Sequence, residues 1–143
     1  MNEKNINQIL SKSYDADLII TEGSMGLYDG VESIGSSGFG TTAELSEKFG
    51  WPVILVLNVS GQAQSAAASA LGFIKYNNNI NFGGVILNFV ASKRHEFLIK
   101  RGMERLGINV LGVIPRQKEI LLPERHLGLV QAQEIKNLDS KIK

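Results

Sequence analysis

Two carboxylates, Glu22 and Asp29, stand seven residues apart in the glycine-rich stretch Glu22-Gly23-Ser24-Met25-Gly26-Leu27-Tyr28-Asp29-Gly30. A carboxylate beside bound phosphates can hold the hard cation that neutralises them, so Glu22 is a candidate Mg²⁺ ligand. Asp29 is then placed to orient or deprotonate a group farther along the same cleft. The same composition also suits an acidic surface loop with flexible glycines, and the residues alone leave both readings open.

Other loops carry further candidates. Gly35 to Thr42 offers backbone N–H groups that run into a helix N-terminus, which is either an anion cradle or a plain linker. It is not a P-loop, because no Gly-Lys-Ser/Thr follows. Ser60-Gly61-Gln62-Ala63-Gln64-Ser65 opens another helix, where its hydroxyls and amides serve at least as caps. Asn88 carries an amide that both donates and accepts, which matches a nucleobase edge and equally matches neighbouring backbone. Arg94-His95 opens a later helix, where a lone His reads as a surface or capping group. Pro115-Arg116 and the compact cluster around Glu124-Arg125, flanked by apolar residues, complete the set of candidate ligand-lining residues.

These residues gain meaning from what precedes them. Four short apolar runs, Asp17 to Thr21, Val53 to Val59, Gly84 to Val90 and Asn109 to Ile114, read as strands. Val53 to Leu57 is apolar at every position, the pattern of a parallel strand covered on both faces, which places it in the middle of a sheet. Each gap between runs exceeds the roughly 10–12 residues a parallel crossover needs, and each holds one helix. Thr42 to Phe49 stops at Gly50 with Pro52 beyond. Ala63 to Tyr76 aligns Ala67, Ala70, Leu71 and Ile74 on one face, and Ser92 to Leu106 aligns Ile99, Gly102, Met103 and Leu106, with Ser92 as N-cap and Gly107 as the stop. The predicted class is α/β, an open, mainly parallel sheet with flanking helices, as a single domain over residues 1–143. In such sheets ligands bind outside the carboxyl ends of the strands, where Glu22, Asn88 and Pro115-Arg116 fall.

Composition narrows the function. The 15 basic and 14 acidic residues give a net charge of +1, so no strong field favours nucleic acid or an anionic membrane. With no cysteine there is no disulfide framework, no Cys-ligated zinc and no thiol nucleophile, and the two histidines are far apart in sequence. Met1 to Ser13 is polar and lacks the pattern of a signal peptide, no apolar stretch approaches the ~20 residues that span a bilayer, and the expected location is cytoplasmic. Asn77-Asn78-Asn79 is a polar turn, and Ile135 to Lys143 a terminal helix or tail.

Taken together the motifs resemble the cobyrinic acid a,c-diamide synthase family over about Tyr14 to Val130. The resemblance rests on Glu22 to Gly30, Thr42-Ala43-Glu44-Leu45, Ser60 to Ala68, Gly84-Val85-Ile86-Leu87-Asn88, and Leu122-Pro123-Glu124-Arg125-His126-Leu127-Gly128-Leu129. It implies a P-loop NTPase-like three-layer sandwich and a ligase of cobalamin synthesis that uses ATP and Mg²⁺. Such an enzyme phosphorylates carboxylates of the corrin cobyrinic acid, and ammonia released from glutamine displaces the phosphate at the a and c side chains in turn. By this likeness Glu22 is a Mg²⁺ and phosphate-site carboxylate, Asp29 acts near the ligation centre, and Asn88 recognises the base. Pro115, Arg116, Glu124 and Arg125 line the nucleotide or substrate side.

The departures from the family pattern are equally specific. Nothing matches the family's P-loop, so the sheet is expected without its P-loop strand, and the glutamine amidotransferase domain with its nucleophilic Cys has no counterpart. Asn58 stands where many relatives are expected to have Asp. The chain thus reads as a partial ATP-binding domain, inactive alone, with an open sheet edge that leaves homodimerisation open. Two other readings compete: a dethiobiotin synthetase-like carboxylate-activating enzyme, separated by which substrate enters the cleft, and a non-catalytic interaction module that retains the fold.

Overall fold

The apolar run at Val53 needs a neighbour for its backbone groups and finds one in the run that begins at Phe82. The computed structural model describes residues 3–23, 25–35, 38–117, 124–125 and 128–129, with residue 3 and the last four described through their backbone alone. In it β1 (Val53–Asn58), β2 (Phe82–Val90) and β3 (Val110–Pro115) form a three-stranded sheet in the order β1-β2-β3. The Val53 N–H donates to the Asn81 carbonyl and the Val59 N–H to the Asn88 carbonyl, so β1 and β2 ascend together. β2 and β3 also pair parallel, with Val85 opposite Val110 and Leu87 opposite Val113.

Helices fill the intervals. α1 (Glu3–Ser11) comes first, in a stretch whose polar sequence carried no expected element. α2 (Thr42–Phe49) begins at a capping box and ends at Gly50, whose φ of 66° is the left-handed conformation that glycine adopts without strain. α3 (Ser65–Tyr76) starts two residues later than its apolar pattern predicts, and α4 (Lys93–Arg105) follows the expected Ser92 cap. β4 (Glu124–Arg125) and β5 (Gly128–Leu129) pair antiparallel. The rest of the Leu122 to Leu129 motif, and Ile135 to Lys143, lie outside the described residues.

The chain divides into two compact units, Met1–Ile54 with Gly72–Gly84, and Leu55–Leu71 with Val85–Lys143. In the first, buried Leu27, Ala43 and Ile80 gather Tyr28, Val53, Phe73 and Phe82 around them. In the second, Val59, Val85, Leu87, Ile99 and Met103 are fully buried. There α4 comes so close to the start of α3 that a Cβ on Gly102 would lie 3.2 Å from the Gln64 backbone and 3.3 Å from Ala67.

Two expectations fail. Asp17 to Thr21 forms no strand, and Leu18, Ile19 and Ile20 are exposed. β1 lies at the edge of the sheet among the described residues, not in its middle, and alternates in burial, with Ile54 53% and Val56 56% exposed. An apolar run records what a strand is suited to touch. The described residues supply β1 with a neighbour on one side only.

Candidate functional site

The Glu22 to Gly30 motif is assembled around the N-terminus of α2. Gly23 backs directly onto Thr42, where a Cβ would come within 2.5 Å of the hydroxyl oxygen, and Gly30 lies as tightly against Phe39 and Thr41. The Ala43 N–H donates to the Leu27 carbonyl and the Val31 N–H to the Phe39 carbonyl. Asp29 closes a turn on Gly26: its own N–H donates to the Gly26 carbonyl, and its carboxylate accepts the Gly26 N–H over 3.0 Å. Glu22 and Asp29 are both exposed at this end of the helix. An open groove of about 410 Å³ is lined by Tyr28, Gly30, Val31, Phe39 and Tyr76 among others, and neither Glu22 nor Asp29 is among its lining residues.

The anion-cradle reading of Gly35 to Thr42 meets a competitor already in place. The N–H groups of Phe39, Gly40 and Thr41 donate to the Glu44 carboxylate at 3.0, 2.7 and 3.2 Å, and the Glu44 N–H donates back to the Thr41 hydroxyl. Bonding from Phe39 first, then Thr41 and Gly40, holds the Glu44 carboxyl below its usual range against an opposing cost of desolvation. The loop binds its own anion. The spacing Thr41-x-x-Glu44 is the sequence signal for this capping box.

In the second unit the carboxyl ends of the three strands carry the remaining candidates. Asn58 accepts both the N–H and the hydroxyl of Ser60 at 3.0 and 2.7 Å, a closed turn after β1 made with the amide that stands in place of the expected Asp. Asn88 lies two residues before the end of β2 and is half-buried. Its side-chain oxygen accepts the Phe89 N–H at 2.9 Å, which leaves the amide NH₂ without a hydrogen-bond partner among the described residues. Phe89 has a φ of 63°, left-handed for a non-glycine residue, at a register shift where two residues of β2 face one of β3. Bulges of this kind re-aim side chains at sheet ends. Pro115 ends β3, and the Arg116 N–H donates to the Val90 carbonyl at 2.8 Å, which ties the residue after β3 to the end of β2.

His95, expected as a surface or capping group, is half-buried and bonded through both ring nitrogens. Its Nδ1 accepts the Ala91 N–H at 3.0 Å, and its Nε2 meets the Gln62 carbonyl. The ring therefore joins the loop after β1 to the turn after β2. No motif marks this role; it follows only from the three-dimensional path of the chain. Glu124 and Arg125 stand in β4, opposite Leu129 and Gly128 of β5.

Residues 4–130 match the model of the CobQ/CobB/MinD/ParA nucleotide binding domain. The chain belongs to that family. Its three-stranded parallel sheet with accompanying helices is part of the P-loop NTPase-like fold of this nucleotide binding domain. Among curated proteins it is 52% identical over 142 residues to a hydrogenobyrinate a,c-diamide synthase of Rhodobacter capsulatus, covering 99% of this chain and 33% of that protein. It is 44% identical to the enzyme of the same name from Agrobacterium fabrum, covering 90% of this chain and 29% of that one. A cobyrinate a,c-diamide synthase of Caldanaerobacter subterraneus is 41% identical, covering 99% and 31%. The chain thus spans about a third of the length of the curated relatives it matches. No solved structure matches it.

For a family of nucleotide-binding domains the observed chemistry is uneven. Asn88 presents two amide donors at a strand end, which suits an acceptor on a nucleobase edge. Among the described residues no three His, Cys, Asp or Glu side chains gather as a metal site. Mg²⁺ commonly takes only one or two carboxylates with phosphate oxygens completing its shell, so a lone Glu22 is compatible with such a site and does not build it. Among the described residues no helix is long and apolar enough to cross a membrane.

Proposed function

We propose that the chain contributes the base-binding and acidic-loop portion of an ATP-dependent ligase that amidates the a and c carboxylates of a corrin, cobyrinate or hydrogenobyrinate, with glutamine or ammonia as nitrogen donor. The observation that carries this reading is the 52% identity over 99% of the chain to a protein named for that reaction. In it Asn88 reads the adenine edge of ATP through its free amide donors, and Glu22 supplies one carboxylate to Mg²⁺. Asp29, held by the Gly26 turn, orients the reacting carboxylate. Pro115, Arg116, Glu124 and Arg125 line the nucleotide or substrate side.

ATP, when bound, supplies the phosphoryl group that turns a corrin carboxylate into an acyl phosphate, and ammonia then forms the amide as phosphate leaves. Phosphoryl transfer depends on electrostatic contacts to the phosphates, normally a P-loop with its Lys. The sequence has no Gly-Lys-Ser/Thr, and the Phe39 to Thr41 amides are committed to Glu44. The chain is therefore expected to be inactive as an isolated polypeptide and to work as part of a longer single-domain nucleotide-binding region, in the cytoplasm.

The test is a transplant. The chain replaces the matched third of the Rhodobacter capsulatus enzyme, and amidation of hydrogenobyrinate is assayed with ATP, Mg²⁺ and glutamine. The folded hybrid is expected to form the a,c-diamide, and Glu22→Gln or Asp29→Asn to lower kcat by about 100-fold or more, the scale of a lost transition-state contact. A folded hybrid that binds hydrogenobyrinate without amidating it would overturn the reading. Full-rate ATP turnover by the isolated chain would overturn the claim that it is inactive alone.

A further inference from the structure

His95 makes two hydrogen bonds, one through each ring nitrogen. The Ala91 N–H donates to Nδ1 at 3.0 Å, so Nδ1 carries no proton; the ring proton sits on Nε2 and donates to the Gln62 carbonyl. The imidazole is half-buried at the first turn of α4, where Ser92 caps the helix by accepting the His95 N–H at 3.2 Å. Both partners flank Asn88. Gln62 belongs to the loop that leaves β1, and that loop donates the Val59 N–H to the Asn88 carbonyl at 3.0 Å. Ala91 is the residue after β2, three positions beyond Asn88.

We propose that His95 is a positioning residue: its imidazole straps the Val59–Gln62 loop to the end of β2 and thereby holds the Asn88 amide in one direction. Two further features converge on the same loop. Gln62 is held at its other end, where its side-chain oxygen accepts the Ser69 hydroxyl at 3.3 Å. The missing side chain of Gly102 lets α4 reach the Gln64 backbone, so the helix that carries His95 is seated on the loop that it binds. The strain at Phe89, with its φ of 63°, shows why a strap is needed, because a left-handed residue beside Asn88 persists only where its surroundings over-determine it. The functional consequence rests on the base-binding role proposed above for Asn88: an adenine edge would meet a fixed pair of donors, and a freed loop would let them turn.

Isotope-labelled chain tests this directly, with adenosine and guanosine as phosphate-free probes. Long-range ¹⁵N spectra of the wild-type ring should show the proton on Nε2, and adenosine should shift the Asn88 side-chain NH₂ signals more than guanosine does. His95→Ala should weaken adenosine binding about fivefold or more, near 1 kcal/mol by the affinity relation, and level the two nucleosides. His95→Gln, which can still donate to the Gln62 carbonyl, should recover most of that loss. His95→Asn, whose shorter amide can take the Nδ1 contact with Ala91 and stops short of the Gln62 carbonyl, should not, and the pair carries the comparison where His95→Ala fails to fold. A proton on Nδ1, or wild-type adenosine preference in the folded variants lacking the Gln62 contact, overturns the proposal. Should the wild-type chain show no saturable response to adenosine, the base-binding reading of Asn88 fails by itself. Amide exchange then decides for His95: faster exchange at Val59 and Phe89 in His95→Asn than in His95→Gln supports the strap, and equal rates overturn it.

Discussion

Glu44 turns its carboxylate back on Gly40, whose N–H donates to Oε2 over 2.7 Å, and the same carboxylate collects the N–H groups of Phe39 and Thr41. Three donors that would otherwise face solvent or a ligand at the start of α2 are thereby satisfied from within the loop.

That arrangement has a pH signature. The folded-state pKa of Glu44 lies below its unfolded value, so its contribution to stability is fully present above the ordinary carboxylate range and is lost as pH falls through the folded value. Melting temperature measured from pH 6 to pH 3 should fall in the wild type and fall less steeply in Glu44→Gln, which carries no titrating group there. Parallel curves would show that the loop amides do not stabilise the charged form.

Two helical glycines are expected to respond to alanine in opposite directions. At Gly72 in α3 a Cβ meets nothing within 4 Å, so Gly72→Ala should gain up to about 1 kcal/mol from helix propensity and unfolded-state entropy. At Gly102 the added Cβ lands 3.2 Å from Gln64 backbone atoms, which cannot swing aside as a side-chain tip can. Overpacking of about 1–3 kcal/mol should exceed the propensity gain and leave Gly102→Ala less stable in urea unfolding. Equal gains at both sites would mean that α4 does not sit on the Gln64 loop.

Tyr28 offers a local check on the first unit. Its hydroxyl donates to the Phe73 carbonyl at 2.6 Å, while its ring stacks on Phe73 and meets Tyr76 at 4.3 Å. Tyr28→Phe keeps both ring contacts and should cost about 1 kcal/mol in chemical unfolding, the net value of one partly buried hydrogen bond. An unchanged midpoint would assign the packing of Tyr28 wholly to its ring.

Much of the α/β pattern was legible because local signals agreed with one another. Gly50, Ser92 and Gly107 bound α2 and α4 as their cap chemistry requires, and β2 and β3 match apolar runs to within two residues. What failed depended on partners. Leu18 to Ile20 has the composition of a strand and nothing among the described residues to pair with, and Val53 to Leu57 has the composition of a central strand and stands at an edge. At the candidate sites, residue type and position single out Glu22, Asp29 and Asn88 as candidates. The tie between His95 and Gln62 spans 33 positions of sequence, and no local pattern encodes it. The left-handed backbone of Phe89 was equally hidden, since aromatic residues ordinarily mark regular strand.

Phe89 supplies a last test of how the Asn88 end of β2 is held. A non-glycine residue in the left-handed region costs roughly 1–2 kcal/mol, and glycine relieves that cost. Phe89→Ala and Phe89→Gly both remove the half-buried ring, so packing cancels between them and the backbone preference remains. In a regular strand alanine should be the more stable of the two, because glycine gives up more chain entropy. With φ at 63° the order should invert, and Phe89→Gly should unfold at higher denaturant than Phe89→Ala by about 1 kcal/mol. The Asn88 side chain should then keep its hydrogen bond to the residue 89 N–H in the glycine variant, read as a retained amide shift. The usual order, alanine above glycine, would place Phe89 in extended backbone and remove the bulge as the device that aims Asn88.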